Sequence, residues 1–187
     1  MESQTVPAFL DFRGPFPLWP EDKDHWTPGQ AAACPGIYLF TVQVRGQHRI
    51  YYVGEANHIA DRLREHLTFY LAGKYLIYDP VALGNGELVR VWVPSTDTEH
   101  TLACLEEHRQ KLTAMLGLVN IFFAEVHADT TVLCRLESAL IRALRRNEEA
   151  KKFLENSRLS VARYDDHVLV EVRSASTLFA VPQVLSV

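Results

Sequence analysis

Three groups of residues combine types and spacing that do chemistry. The first is a single carboxylate. On a helical wheel drawn from Asp129 to Arg146, Leu133, Leu136, Leu140, Ile141 and Leu144 share one arc. Glu137 falls inside that arc, one turn from both Leu133 and Ile141. A carboxylate is costly to bury alone, so Glu137 is paired, metal-bound or at the edge of a cleft. The structural alternatives are a buried ion pair and a rim residue whose head reaches water. The second group is Arg62 and His66, one helical turn apart on the border of an apolar stripe. A guanidinium fork with an imidazole beside it suits a phosphate, and the plainer reading is a surface arginine and a border histidine. The third group is basic. Arg142, Arg145, Arg146, Lys151, Lys152, Arg158 and Arg163 are diluted by Glu148, Glu149 and Glu155. This is either a solvated helix face or a phosphate-binding one. Arg49, Arg64 and Lys74 are further cationic candidates for substrate contact.

Other constellations carry less. His100, Cys104 and His108 follow helical spacing without an evident fourth ligand, so a zinc site is set aside. Cys134 has no obvious activating neighbour and reads as a core thiol. Tyr51 is expected on the sheet face opposite Tyr52, as packing.

The elements that position these residues follow from the sequence pattern. Gly36 to Arg45 and Arg49 to Gly54 are β-rich runs around a glycine turn, which predicts a hairpin. Asn57 is the expected cap of a helix running to Ala72, with Ile59, Leu63, Leu67 and Tyr70 on one face. Leu88 to Val93 reads as a strand. Asp97 or Thr98 reads as the cap of a second helix carrying Leu102, Leu105, Leu112 and Leu116. Val119 to Val126 reads as a buried strand. Asp129 starts a third helix through Arg146, with a continuation toward Leu154. The tail from Val168 is apolar and β-prone. Its stretch from Leu178 to Val187 serves either as core packing or as an interface for a second copy. Pro7, Pro15, Pro17, Pro20, Pro28 and Pro35 hold six of the nine prolines, so the first residues read as an irregular arm docked by its aromatics.

The chain has 187 residues and a net charge of −4, which disfavours a strongly basic, nonspecific nucleic-acid binder. No apolar run matches a membrane span and no secretory signal is expected. Three scattered cysteines predict reduced thiols and a cytoplasmic setting.

Gly36-Ile37-Tyr38, then Tyr52-Val53-Gly54, Arg62 and His66, resembles the GIY-YIG nuclease family. The block from Tyr52 to His66 looks like that family's second strand and first helix. Glu137 matches its later acidic residue, and Asn156, with Asn147 as the competing choice, its final asparagine. Val53 stands where the family is named for isoleucine, and Glu55 stands where some members place a lysine after the glycine. The resemblance implies an α/β domain with a small, mainly antiparallel sheet flanked by helices. It covers about residues 35–163, with an insertion at about 75–118, after an N-terminal arm at 1–34 and before an extension at 164–187.

The resemblance also implies Mg²⁺- or Mn²⁺-dependent hydrolysis of DNA. Glu137 would hold the metal and Arg62 would stabilise transition-state charge. Tyr38 or Tyr52, with Tyr38 favoured, would orient or deprotonate the attacking water. His66 would relay the proton and Asn156 would brace the site. Gly36 and Gly54 would allow close backbone approach. The rival expectations are a non-cleaving nucleic-acid-binding module and a protein-interaction domain, with a homodimer or a recruiting partner open.

Overall fold

The computed structural model describes residues 6–19, 33–95, 99, 103–155, 168–174 and 177–187. Among these it contains nine strands and five helices in mainly antiparallel sheets, a mixed α/β fold. The strands are β1 Phe9–Asp11, β2 Arg13–Pro17, β3 Gly36–Val44, β4 Gln47–Ala56, β5 Ile77–Tyr78, β6 Arg90–Trp92, β7 Val119–Glu125, β8 Leu169–Arg173 and β9 Val184–Ser186. The helices are α1 Ile59–Leu71, α2 Pro80–Gly84, α3 Leu105–Leu116, α4 Thr130–Arg145 and α5 Glu148–Phe153.

The central sheet runs β2-β7-β3-β4, antiparallel throughout. Its β3–β4 hairpin turns at Arg45 and Gly46, both at positive φ, as the tightest hairpin turns require. β3 is buried on both faces. Tyr38, Phe40, Val42 and Val44 join a core with α1 and the β5–α3 region, while Ile37 and Leu39 join a core with α4 and the β1-β8-β9 sheet. That double burial explains why the sequence of β3 is almost continuously apolar. In β4, Ile50 and Val53 face the α4 side, but Tyr51 packs with Tyr38 and Phe40 on the α1 side. The register explains it. Phe40 pairs with Tyr52 and Thr41 with Ile50, so Tyr51 is an extra residue in a β-bulge. Simple alternation therefore fails for Tyr51, which shares the face of Tyr52.

The docked arm is more regular than its prolines predict. β2 extends the central sheet, and its Pro15 and Pro17 are tolerated because β2 is an edge strand. β1 pairs in parallel with β8. Leu178, Leu185 and Val187 turn into the chain's own core, which favours packing over an interface for the tail. The 75–118 region gains β5 and α2, the latter capped by Asp79 with Pro80 at its first turn. Asp97 and Thr98 lie outside the described residues. The third predicted helix ends at Arg146, and Asn147 caps a separate α5 by accepting from the backbone N–H groups of Glu149 and Ala150.

Gly36 shows how tightly the central sheet closes. A Cβ there would lie 2.0 Å from the Ala124 carbonyl oxygen. Gly36→Ala is expected to lower stability by about 3 kcal/mol, read by urea denaturation, because the obstructing atom is backbone.

Candidate active site

Two short connections, β4–α1 and β7–α4, bring the candidate residues together at the end of β4. The β4–α1 loop carries Asn57 and His58, and the His58 side chain, rather than the expected Asn57, caps α1 by accepting from the Asp61 N–H. Asn57 instead bonds Thr130 on the first turn of α4, donating from its amide at 3.2 Å and accepting the hydroxyl proton at 3.3 Å. Asp129 caps α4 by accepting from Val132 N–H at 2.8 Å. The two helices are thereby held on either side of the β4 end. Between them lies a cleft of about 500 Å³ lined by Tyr38, Tyr52, Glu55, Arg62 and Glu137, with Asp61 and Glu65 on its α1 wall.

Tyr38 is the innermost of these, at 0% exposure. Its hydroxyl is 2.7 Å from His66 Nε2. It also interacts with the Tyr52 hydroxyl and the Arg62 guanidinium. Tyr38 sits opposite Gly54 in the β3–β4 register, and a Cβ at Gly54 would lie 2.3 Å from the ring and hydroxyl. A side chain at position 54 would therefore expel the tyrosine. Tyr52 pairs with Phe40, so the two tyrosines are diagonal neighbours, with ring centroids 6.1 Å apart. Tyr52 is half-buried and is the tyrosine that reaches cleft water. Burial raises both phenols, and for Tyr52 its hydrogen bond with Tyr38 and the charge of Arg62 oppose the rise.

His66 is 3% exposed. Burial first, then the charge of Arg62, lowers its pKa to about 3, so it stays neutral. Arg62 is half-buried and paired with Glu65 one turn on. Burial first, then the charge of Glu55, raises Glu137 to about 7, with Arg62 opposing. Glu137 thus stands at a cleft edge, as its place in the apolar arc allows. Glu55 and Glu137 make the floor acidic, with Arg62 as the cationic lining residue among those described. Cys134 lies beside Glu55, its Sγ 3.9 Å from Oε1, and burial keeps the thiol protonated.

Glu137 and Glu55 fit a hard divalent cation. Two neighbouring carboxyls, one kept from ionising by burial and by the other, gain from a positive charge between them, and Mg²⁺ takes one or two carboxylates with water completing its shell. Among the described residues no group of three or more His, Cys, Asp or Glu side chains gathers as a metal cage.

A second, smaller cavity of about 90 Å³ lies behind the tyrosines, lined by Phe40, Tyr52, His66, Tyr70, Tyr75 and Glu155. In the sequence Glu155 stands only as a charge diluting the basic run, and its neighbour Asn156 is singled out instead.

The described candidates for substrate contact do not line the cleft. Arg49 pairs with Glu149 at 3.3 Å and stacks 4.9 Å above Phe179. Arg64 pairs with Asp61, and Lys74 sits 5.3 Å from the Phe69 ring centre. Arg142, Arg145 and Arg146 are on the last turn and cap of α4 and do not line the cleft. Asn156, Arg158, Arg163 and His100 lie outside the described residues. Asn147 is engaged as the α5 cap and does not line the cleft. Among described residues, no helix is long and apolar enough to cross a membrane. No family model, curated protein or solved structure matches the chain.

The Glu137 carboxyl makes stability depend on pH. Its folded pKa of about 7 lies above the ordinary 4.5, so the folded chain holds this proton more tightly than the unfolded one. The linked stability is intact below pH 4.5 and is lost as pH rises through 7. Urea denaturation is expected to show Glu137→Gln gaining on the wild type between pH 5 and pH 8.

Proposed function

We propose that this chain is a metal-dependent endonuclease of GIY-YIG type that hydrolyses DNA phosphodiester bonds in the β4-edge cleft. The observation that carries this reading is the convergence on one cleft of Tyr38, Tyr52, Arg62 and Glu137, drawn from four separate elements. Those are the residue types and the order on which the family resemblance rests.

Each residue has a role that follows from its surroundings. Arg62 faces the cleft with a charge that no cellular pH removes, so it stabilises negative charge building on the phosphoryl oxygens. Tyr52 takes the place of the water-handling residue, because it meets solvent while Tyr38 is fully covered. Tyr38 and His66 lie behind it as a hydrogen-bonded pair that fixes the phenol and, with the Tyr52 hydroxyl turned toward Tyr38, would receive its proton. Glu137, with Glu55 beside it, would hold the divalent cation. Such an ion, held by these carboxyls, would supply positive charge to offset that of the scissile phosphate and its leaving oxygen. Glu55, Asp61, Glu65 and Glu137 otherwise repel a phosphate, so cleavage requires the cation for binding as well as for chemistry.

Supercoiled plasmid incubated with Mg²⁺ or Mn²⁺ tests the reading. The wild type is expected to give relaxed or linear product. Glu137→Ala and Arg62→Ala are each expected to lose about 100-fold or more, and chelation to abolish the reaction. Tyr52→Phe is expected to lose about 100-fold. DNA bound without cleavage under every divalent condition would instead mark a non-cleaving module. Mg²⁺ at pH 8 is also expected to raise the wild-type urea midpoint and leave that of Glu137→Gln unchanged.

A further inference from the structure

The cavity behind the tyrosines contains a carboxylate that the proposed chemistry leaves unused. Glu155 follows α5, and its backbone N–H is held on Tyr51 O at 2.6 Å. Its side chain lines the 90 Å³ space with Tyr52, His66, Tyr70 and Tyr75. That space exceeds what one water molecule needs, and its walls carry several polar partners. The groups facing Glu155 come from every adjoining element. Tyr51 and Tyr52 come from β4, His66 and Tyr70 from α1, Tyr75 and Tyr78 from the segment after α1, and Arg90 from β6. The Tyr78 hydroxyl donates to the carboxylate.

His66 by itself is a poor end point for a proton. Its Nε2 faces Tyr38, and its ring packs 5.5 Å from Tyr75 on the cavity side. Burial and Arg62 resist any positive charge on it. A proton arriving at Nε2 must therefore leave from Nδ1. Glu155 is the carboxylate among the residues lining the cavity beside that ring.

We propose that Glu155 is the proton acceptor behind the site, receiving the His66 Nδ1 proton across this cavity. The inference rests on the endonuclease reading, and the proton count balances. The attacking water gives a proton to the Tyr52 oxygen, and the Tyr52 hydroxyl proton passes to Tyr38. The Tyr38 proton passes to His66 Nε2, and the Nδ1 proton passes to Glu155. The tyrosines and His66 end neutral, with His66 in its other tautomer. Glu155 ends as a carboxylic acid and returns its proton to solvent before the next turnover. Burial holds Glu155 near pH 7, where it accepts a proton and releases it again. Because it acts through His66, Glu155 is a positioning residue for that proton.

Two readouts test this. In the plasmid assay with Mg²⁺, Glu155→Gln keeps an acceptor for Tyr78 and is expected to lower kcat about 100-fold with KM little changed, while Glu155→Asp recovers part of the rate. Wild-type turnover in Glu155→Gln would overturn the proposal. Independently of cleavage, ¹⁵N NMR of the His66 ring is expected to show a shift step near pH 7 in the wild type as Glu155 titrates. The step disappears in Glu155→Gln. A flat wild-type titration would overturn the proposal even if plasmid is cut. A step in a protein that cuts nothing would keep the His66–Glu155 link and reject the nuclease reading. Should Glu155→Gln fail to fold, the same titration in Glu137→Gln decides, because the other carboxyl that titrates near pH 7 is then absent.

Discussion

The site depends on one steric arrangement, a tyrosine ring set against a residue with no side chain. Tyr38 occupies the space that any Cβ at position 54 would claim. From that position its hydroxyl meets His66 at 2.7 Å, which fixes the face of α1 turned toward the sheet. Arg62, one turn earlier on α1, is then directed into the cleft. The bulge at Tyr51 serves the same arrangement from β4. It brings two successive tyrosines to the α1 face, Tyr51 packed in the core and Tyr52 lining both the inner cavity and the cleft. The chemistry at the cleft and the packing of the aromatic core are consequently one structure.

On the proposed reading, electrostatics gives the cleft a use for a cation. Burial and Glu55 both oppose ionisation of Glu137, and Arg62 offsets this only in part. On that reading, two carboxyls and a guanidinium in a half-buried cleft would attract a divalent ion more than a phosphate. Basic side chains are placed elsewhere, with Arg49 tied to Glu149 and Phe179 and Arg64 tied to Asp61. Any nucleic acid held here would gain most of its local affinity through the metal and Arg62.

Much of this was legible in the sequence because it depends on local pattern. The hairpin, α1, β7 and the Asp129 cap of α4 all follow from periodicity and capping chemistry. The anomalous carboxylate at Glu137 was visible because a charge in an apolar arc demands an explanation. What was not legible arises from register and long-range contact. The bulge that turns Tyr51 inward has no sequence mark of its own, since Tyr51 and Tyr52 are the same residue type. The strands within the proline-rich arm depend on pairing with β7 and β8, far away in the chain. Glu155 acquires its surroundings only when α5, α1 and the 75–90 segment meet.

The most direct test of the central claim is to locate the cation. Crystals soaked in Mn²⁺ at a concentration that supports nicking should give an anomalous difference peak at the Glu137 carboxyl, within the cleft that also holds Tyr52 and Arg62. That peak should vanish in Glu137→Gln. A Mn²⁺ peak at another site with none at Glu137, in a protein that still cuts DNA, would contradict the account.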